Sequence, residues 1–146
     1  MVALIDTNVI LDYLLERQPQ FNDSAHVLRL CQAQQLKGFV AFHSISVIWY
    51  LMRKHPHEER RKALTEVTDM LTVTSASHEE VVSAIQNENF SDFEDCLQEK
   101  CALNVGADFI VTNNVKDFSA SQIPAVTPAE ILEVIFNGKN LYAESR

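Results

Sequence analysis

The hydrophobic positions of this chain fall into short unbroken runs that alternate with longer stretches at helical spacing. Val2-Ala-Leu-Ile5 is an apolar run that stops at Asp6-Thr7-Asn8, after which Val9-Ile10-Leu11 and Tyr13-Leu14-Leu15 continue with the spacing of a helix face. The expected reading is buried strand, polar turn, helix. Past Arg17-Gln-Pro-Gln20, the positions Ala25, Val27, Leu28, Leu30 and Cys31 predict a second helix, with Asn22, Asp23 or Ser24 as its cap. Gly38-Phe-Val-Ala-Phe42 predicts a second buried strand. It leads through His43-Ser44 into an apolar helical face of Ile45, Val47, Ile48, Leu51 and Met52 that ends in Arg53-Lys54.

A polar segment from His55 to Lys62 opens the next helix, whose apolar face is Leu64, Val67, Met70 and Leu71. Leu71-Thr-Val-Thr74 alternates apolar and polar residues and predicts a short strand directly after it. Ser77 and Glu80 have the spacing of a capping box, in which a hydroxyl and a carboxylate satisfy the free amides of a helix start, so a short helix is expected from Ser77 to Ala84. The strongest local pattern is Ser91-Asp-Phe-Glu-Asp-Cys-Leu-Gln-Glu-Lys-Cys-Ala-Leu103, an amphipathic helix with Ser91 and Glu94 in capping-box spacing. The apolar run Phe109-Ile-Val111 follows and stops at Thr112-Asn113-Asn114; Ala125-Val126 and a helix from Pro128 to Phe136 complete the chain. Strands alternating with helices predict one α/β domain over 1–146, a three-layer arrangement with a mostly parallel sheet and helices on both faces. In such sheets ligands bind beyond the carboxyl ends of the strands, where the strand order changes direction, and Asp6 and Thr112-Asn113-Asn114 both occupy such ends.

Composition narrows the picture. The 146 residues are 47% hydrophobic with 3 Gly and 4 Pro, which excludes a disordered or collagen-like chain and disfavours a turn-rich β sandwich. A net charge of -8 offers no general basic surface for phosphates, so any nucleic-acid contact must use local patches or metal ions. Cys31, Cys96 and Cys101 are an odd number without Cys-x-x-Cys spacing, so buried thiols are expected rather than a disulfide framework or a zinc site. Met1 to Asp6 lacks a basic region and a long apolar segment, and no apolar run is long enough to span a bilayer, so a cytoplasmic protein with no membrane partner is expected.

The candidate chemistry is acidic. Asp6, at a strand end that starts a helix, reads equally as a helix cap. Asp92 and Asp95 share a helical face in a first turn, where acids also favour the helix dipole, and Asn113, Asn114 and Asp117 are ordinary turn residues taken singly. Three separate segments nevertheless bring carboxylate and amide oxygens to one predicted sheet edge. Hard divalent ions such as Mg2+ or Mn2+ use oxygen ligands of that kind, and they activate water in phosphodiester cleavage. His55 and His57, with Pro56 between them, read as solvated. Trp49-Tyr50 can stack on RNA bases or serve as core or dimer contacts, and Arg53-Lys54 and Arg60-Arg61-Lys62 read as solvated helix faces.

Leu4-Ile-Asp-Thr-Asn-Val-Ile-Leu-Asp12, Asp92-Phe-Glu-Asp-Cys-Leu-Gln98 and Ile110-Val-Thr-Asn-Asn-Val-Lys-Asp-Phe118 resemble successive motifs of the PIN-domain family, and Pro128-Ala-Glu-Ile-Leu132 resembles its final helix. The resemblance implies a parallel five-stranded sheet and an Mg2+ or Mn2+ site for RNA hydrolysis. By position, Asp6 matches the first family acid, Asp95 the acid on the later helix, and Asn114 with Asp117 the polar pair after the fourth strand. Thr112 matches the small hydroxyl residue before that pair, and Asp92 an additional acid found in part of the family. Ser44-Ile-Ser-Val-Ile-Trp-Tyr-Leu-Met-Arg-Lys54 resembles the second motif but places Val47 where an acid or amide is expected, and Asn114 stands where many relatives have Asp.

The resemblance thus implies a metal-dependent endoribonuclease of the toxin type acting on single-stranded RNA. Asp6 and Asp95 would hold the ion, with Asp117 and Asp92 completing its shell or orienting water; an antitoxin partner and self-association are implied as well. A catalytically weak or inactive PIN-like interaction module is the alternative that Val47 and Asn114 motivate. A phosphatase or DNA nuclease with the same metal chemistry is a third class.

Overall fold

A computed structural model describes residues 1–138, and all four strand pairings in it are parallel. The elements, in chain order, are β1 (Val2–Ile5), α1 (Thr7–Leu14), α2 (Phe21–Gln32), β2 (Lys37–Ala41), α3 (Phe42–Leu51), α4 (His57–Met70) and β3 (Thr72–Thr74). After these come α5 (His78–Gln86), α6 (Phe93–Asn104), β4 (Phe109–Val111), a 3-10 turn (Val115–Phe118), β5 (Ala125–Val126) and α7 (Pro128–Asn137). The sheet order β3-β2-β1-β4-β5 puts β1 in the centre, with β2 and β3 on one side and β4 and β5 on the other. The expected five-stranded parallel sheet is thus present, and its change of direction falls between β1 and β4.

The short apolar runs are strands buried on both faces, which is why they carry no polar alternation. In β1, Ala3 and Ile5 point into one core and Leu4 into the other; in β4, Phe109 and Val111 oppose Ile110 in the same way. The larger core joins these residues to Val9 and Ile10 of α1, Val27 and Leu28 of α2, Ile48 of α3, Val67 of α4 and Ile131 of α7. On the opposite face, Leu4, Ala41 and Ile110 meet Ala84 of α5, Cys96, Cys101 and Ala102 of α6, and Phe118 of the 3-10 turn. Helices therefore cover both faces, as the alternation predicts. No helix among the described residues is long and apolar enough to cross a membrane, and all three cysteines are buried free thiols.

Two helix starts differ from expectation. Helix α2 begins at Phe21, and none of Asn22, Asp23 or Ser24 caps it. The preceding turn already has helical geometry, so the Phe21 amide donates to the Arg17 carbonyl (2.8 Å) and no side chain is required. In α6 the cap is Asp92 rather than Ser91: its Oδ1 accepts from the Glu94 amide at 2.8 Å. Glu94 is thereby released from the expected capping box and is free to reach α3. The Ser77–Glu80 box forms as expected.

One strand position has no room for a side chain. A Cβ at Gly38 in β2 would stand 2.5 Å from the Cys31 sulfur and 2.6 Å from Leu71 Cδ2. Gly38→Ala is expected to lower the stability of the fold by about 1–3 kcal/mol through overpacking between β2 and α2, read as a lower urea midpoint with an unchanged slope.

Candidate functional site

The carboxyl ends of β1 and β4 meet at the switch point, and Asp6 stands there because it ends β1 and caps α1. Its amide donates to the Val111 carbonyl (2.9 Å), which continues the sheet ladder past the end of β1. Its carboxylate accepts from the Thr7 amide (2.8 Å), from Asn8 Nδ2 (3.1 Å) and from the Thr112 hydroxyl (2.8 Å). Thr112 is fully buried and in turn accepts from the Asn114 amide at 3.0 Å. Asp6 thus caps a helix and also anchors the turn after β4. Burial pushes its carboxyl up to about 6, with the charge of Glu94 adding to the rise and the Thr112 bond opposing it.

Helix α6 supplies the second acid. Asp95 lies in the first turn of the helix, buried, and its carboxyl is pushed up to about 8, first by burial and then by the charges of Asp6, Glu94 and Asp92. Repulsion between Asp6 and Asp95, which are 89 positions apart in the chain, shows that the fold brings the two carboxylates into one neighbourhood. Asp92 belongs to the same charged group while serving as the α6 cap.

Glu94 behaves oppositely to its neighbour. Burial alone would raise its carboxyl, but hydrogen bonds from His43 and Gln98 outweigh that and hold it below the usual range. His43 Nε2 lies 3.1 Å from Glu94 Oε1, and Gln98 Nε2 donates to the same oxygen at 2.9 Å. Gln98 is fully buried and also donates to Ser44 Oγ (2.9 Å) and Thr7 Oγ1 (3.3 Å), while those two hydroxyls are 2.7 Å apart. One amide thus ties together the first turns of α1, α3 and α6. A carboxyl that keeps its proton and an adjacent one that stays ionised are the usual sign of an environment built for proton chemistry.

The segment after β4 contributes less directly. Asn113 donates through its amide nitrogen to Asn8 Oδ1 (3.2 Å), and its side chain donates to Asp12, which Arg17 approaches at 3.7 Å. Asn114 is exposed at the start of the 3-10 turn. Asp117 is exposed on that turn, with its amide bonded to the Asn114 carbonyl (3.0 Å) and its carboxylate making no hydrogen bond to a described residue. Val47 is half-buried on α3. Glu94, His43, Ser44, Thr7, Asn8 and Gln98 were not singled out in the sequence as members of the site. Gln98, an amide four residues after Glu94 on the same amphipathic helix, was the available signal.

Among the described residues, no three His, Cys, Asp or Glu side chains stand together in ligating geometry. The buried oxygen set of Asp6 and Asp95 still fits a hard divalent ion, because Mg2+ is commonly held by one or two carboxylates and keeps several waters. Carboxyls forced towards their neutral forms by burial and mutual repulsion also identify where added positive charge would be favoured.

A doubly wound parallel sheet with a carboxylate cluster at its switch point defines an α/β protein with an acidic site. A family model described as "PIN domain" matches residues 2–116, and the chain belongs to that family. It is 28% identical over 135 residues to the "Ribonuclease VapC1" of Aquifex aeolicus (strain VF5), covering 90% of this chain and 93% of that protein. Solved structures of the same fold include VapBC2 from Rickettsia felis bound to a DNA fragment from their promoter, at TM-score 0.64 and 16% identity over 87% of this chain and 98% of that one. VapBC-1 from nontypeable Haemophilus influenzae also has TM-score 0.64 and 16% identity, over 88% of this chain and 99% of that one.

The raised carboxyls set the sign of a pH effect. Between about 4 and 8 the folded chain keeps a proton on Asp95 that the unfolded chain has lost, so this group's contribution to stability falls as pH rises through that window. Asp95→Asn removes the penalty. Without divalent ions, the melting temperature of Asp95→Asn relative to the parent is expected to climb from pH 4 to pH 8 by a few degrees and then level off; a pH-independent difference would show that Asp95 ionises normally.

Proposed function

We propose that this chain is a metal-dependent endoribonuclease that cuts single-stranded RNA, the toxin partner of an antitoxin protein. The observation that carries this reading is the pair of buried, mutually repelling carboxylates, Asp6 and Asp95, at the switch point of the sheet. The relative named a ribonuclease and the VapBC complexes of the same fold support it. We assign Asp6 and Asp95 as the residues that hold Mg2+ or Mn2+, with Asp92, Asn114 and Asp117 at the rim of the same site.

A bound divalent ion would supply charge that makes water more acidic and offsets negative charge building on the cleaved phosphate. The chain's own part is to present anionic oxygens in fixed positions. Asp6 is held by its three hydrogen-bond donors, and Asp95 must give up the proton that burial and repulsion leave on it. Glu94, kept ionised by His43 and Gln98, adds negative charge beside them. Hydrolysis breaks one P–O bond, forms another to the water oxygen and transfers a proton from that water to the leaving oxygen; Asp117 on the exposed turn is the group we assign to orient the water.

The alternative, a weakly catalytic interaction module, is favoured by two features: Asn114 stands where many relatives have Asp, and position 47 is apolar. Val47 offers no oxygen where the family resemblance expects one.

Two measurements separate these readings. Mn2+ is expected to raise the melting temperature of the parent, and Asp6→Asn to abolish that rise and lower cleavage of labelled single-stranded RNA by at least about a hundredfold. An equal Mn2+ response in Asp6→Asn would place binding elsewhere. Cleavage of DNA or of a small phosphoester, with RNA spared, would move the chain to another hydrolase class. Val47→Glu should increase cleavage if its carboxylate reaches the site. A stable Val47→Glu protein that cuts no RNA, alongside an inactive parent, would support the interaction module.

A further inference from the structure

Helix α3 links the acidic site to the one basic region of an acidic chain. Its first turn is fixed at the site by the His43–Glu94 and Ser44–Gln98 contacts. Ten residues at ~1.5 Å each carry it about 15 Å away. Ser44 and Ile48 are buried, whereas Phe42, Ser46 and Tyr50, spaced every fourth residue, form an exposed stripe. Phe42 is 68% exposed and Tyr50 61%, and Phe93, at the start of α6 beside Glu94, is 46% exposed. Large aromatic rings left this open on a small domain call for an explanation.

Charge indicates the occupant. Five of the chain's 12 Lys and Arg residues lie between 53 and 62 (Arg53, Lys54, Arg60, Arg61 and Lys62), against two carboxylates, Glu58 and Glu59, in the same stretch. Arg53 stacks over the Tyr50 ring at 4.4 Å and donates to the Tyr50 carbonyl at 3.3 Å, so a guanidinium ends the aromatic stripe. Arg60 is used structurally: it lies 4.1 Å over Trp49 and bonds the Trp49 carbonyl, locking α4 to α3. Trp49 is therefore half-buried in the helix junction, which leaves Tyr50 as the open ring. Arg53, Lys54, Arg61 and Lys62 are all exposed.

Resting on the nuclease reading above, we infer that the outer face of α3 is the track that binds the single-stranded RNA flanking the cut. Bases stack on Phe42 and on the face of Tyr50 opposite Arg53, and phosphates reach Arg53 and Lys54. Stacking on aromatic faces beside a cationic groove is the sequence-tolerant way proteins hold single strands. A protein–protein interface fits less well, because its buried centre is usually depleted of lysine, and the exposed Lys54 follows this stripe directly in the chain. The track also answers an electrostatic difficulty: the net charge of -8 disfavours RNA binding overall, and the densest group of cations in the sequence lies here.

The test is fluorescence anisotropy with a labelled, mixed-sequence single-stranded RNA of about 12 nucleotides in EDTA, where binding is read without cleavage. The parent should bind, and Tyr50→Ala and Phe42→Ala should each weaken binding about tenfold. Arg53→Gln with Lys54→Gln should lessen the salt dependence by about 1.4 in log–log slope. Lys37→Gln, at the start of β2 and outside the proposed track, serves as the charge control and should leave the slope nearly unchanged. Melting temperatures confirm that each variant is folded.

Parent protein that does not bind RNA in EDTA, or track variants that bind as the parent does, would overturn the inference. If the same variants change the solution mass instead, the stripe is a contact between copies of this chain. Cleavage in Mn2+ is scored separately. A parent that cuts RNA with the track irrelevant loses this inference alone, whereas a parent that binds through the track but never cuts loses the nuclease reading alone.

Discussion

An ionisable group without a countercharge is expensive to bury, and the architecture around Asp6 is arranged to keep one buried. The buried carboxylate sits at the carboxyl ends of β1 and β4 and is satisfied by the Thr7 amide, Asn8 and Thr112. Each donor comes from an element whose path then depends on that bond. The Thr7 contact starts α1, while Thr112 ties down the turn carrying Asn113 and Asn114. Moving Asp6 would loosen the entry to α1 and the exit from β4 together.

Around this point the site separates its acids by environment. Asp95 and Glu94 are neighbours in sequence, yet burial and repulsion favour the neutral form of one while His43 and Gln98 hold the other ionised. A helix forces adjacent residues to point in different directions, so two consecutive acids can have different surroundings. The cap at Asp92 matters here. Because it takes the Glu94 amide, the Glu94 side chain is not spent on capping and reaches across to α3.

Much of the fold was legible in the sequence because its strands are buried on both faces and its helices on one. Runs such as Val2–Ile5 and Phe109–Val111 have few other readings when helical stretches separate them, and the parallel sheet follows. Asp6 and Asp95 were legible as acids at strand and helix starts that a parallel sheet gathers at one edge. The cap of α2 was not, because three polar residues in a row offer candidates while the decisive factor is the backbone of the preceding turn. Nor were the contacts of Glu94 with His43, 51 positions away, and of Gln98 with Thr7 and Ser44, which are set by how α1, α3 and α6 meet rather than by a local pattern. Trp49 and Tyr50 show the same limit: adjacent aromatics look alike in sequence, and the arginine stacked on each, one buried and one exposed, distinguishes them.

The three cysteines carry a consequence of a different kind. All are buried, and burial pushes the thiols of Cys31 and Cys101 up to about 12 and about 11 and raises that of Cys96. The thiolate, the form that attacks peroxides and disulfides, is therefore scarce at every cysteine in the folded chain. Reagents that act through thiolates find little to attack at the buried cysteines of the native chain.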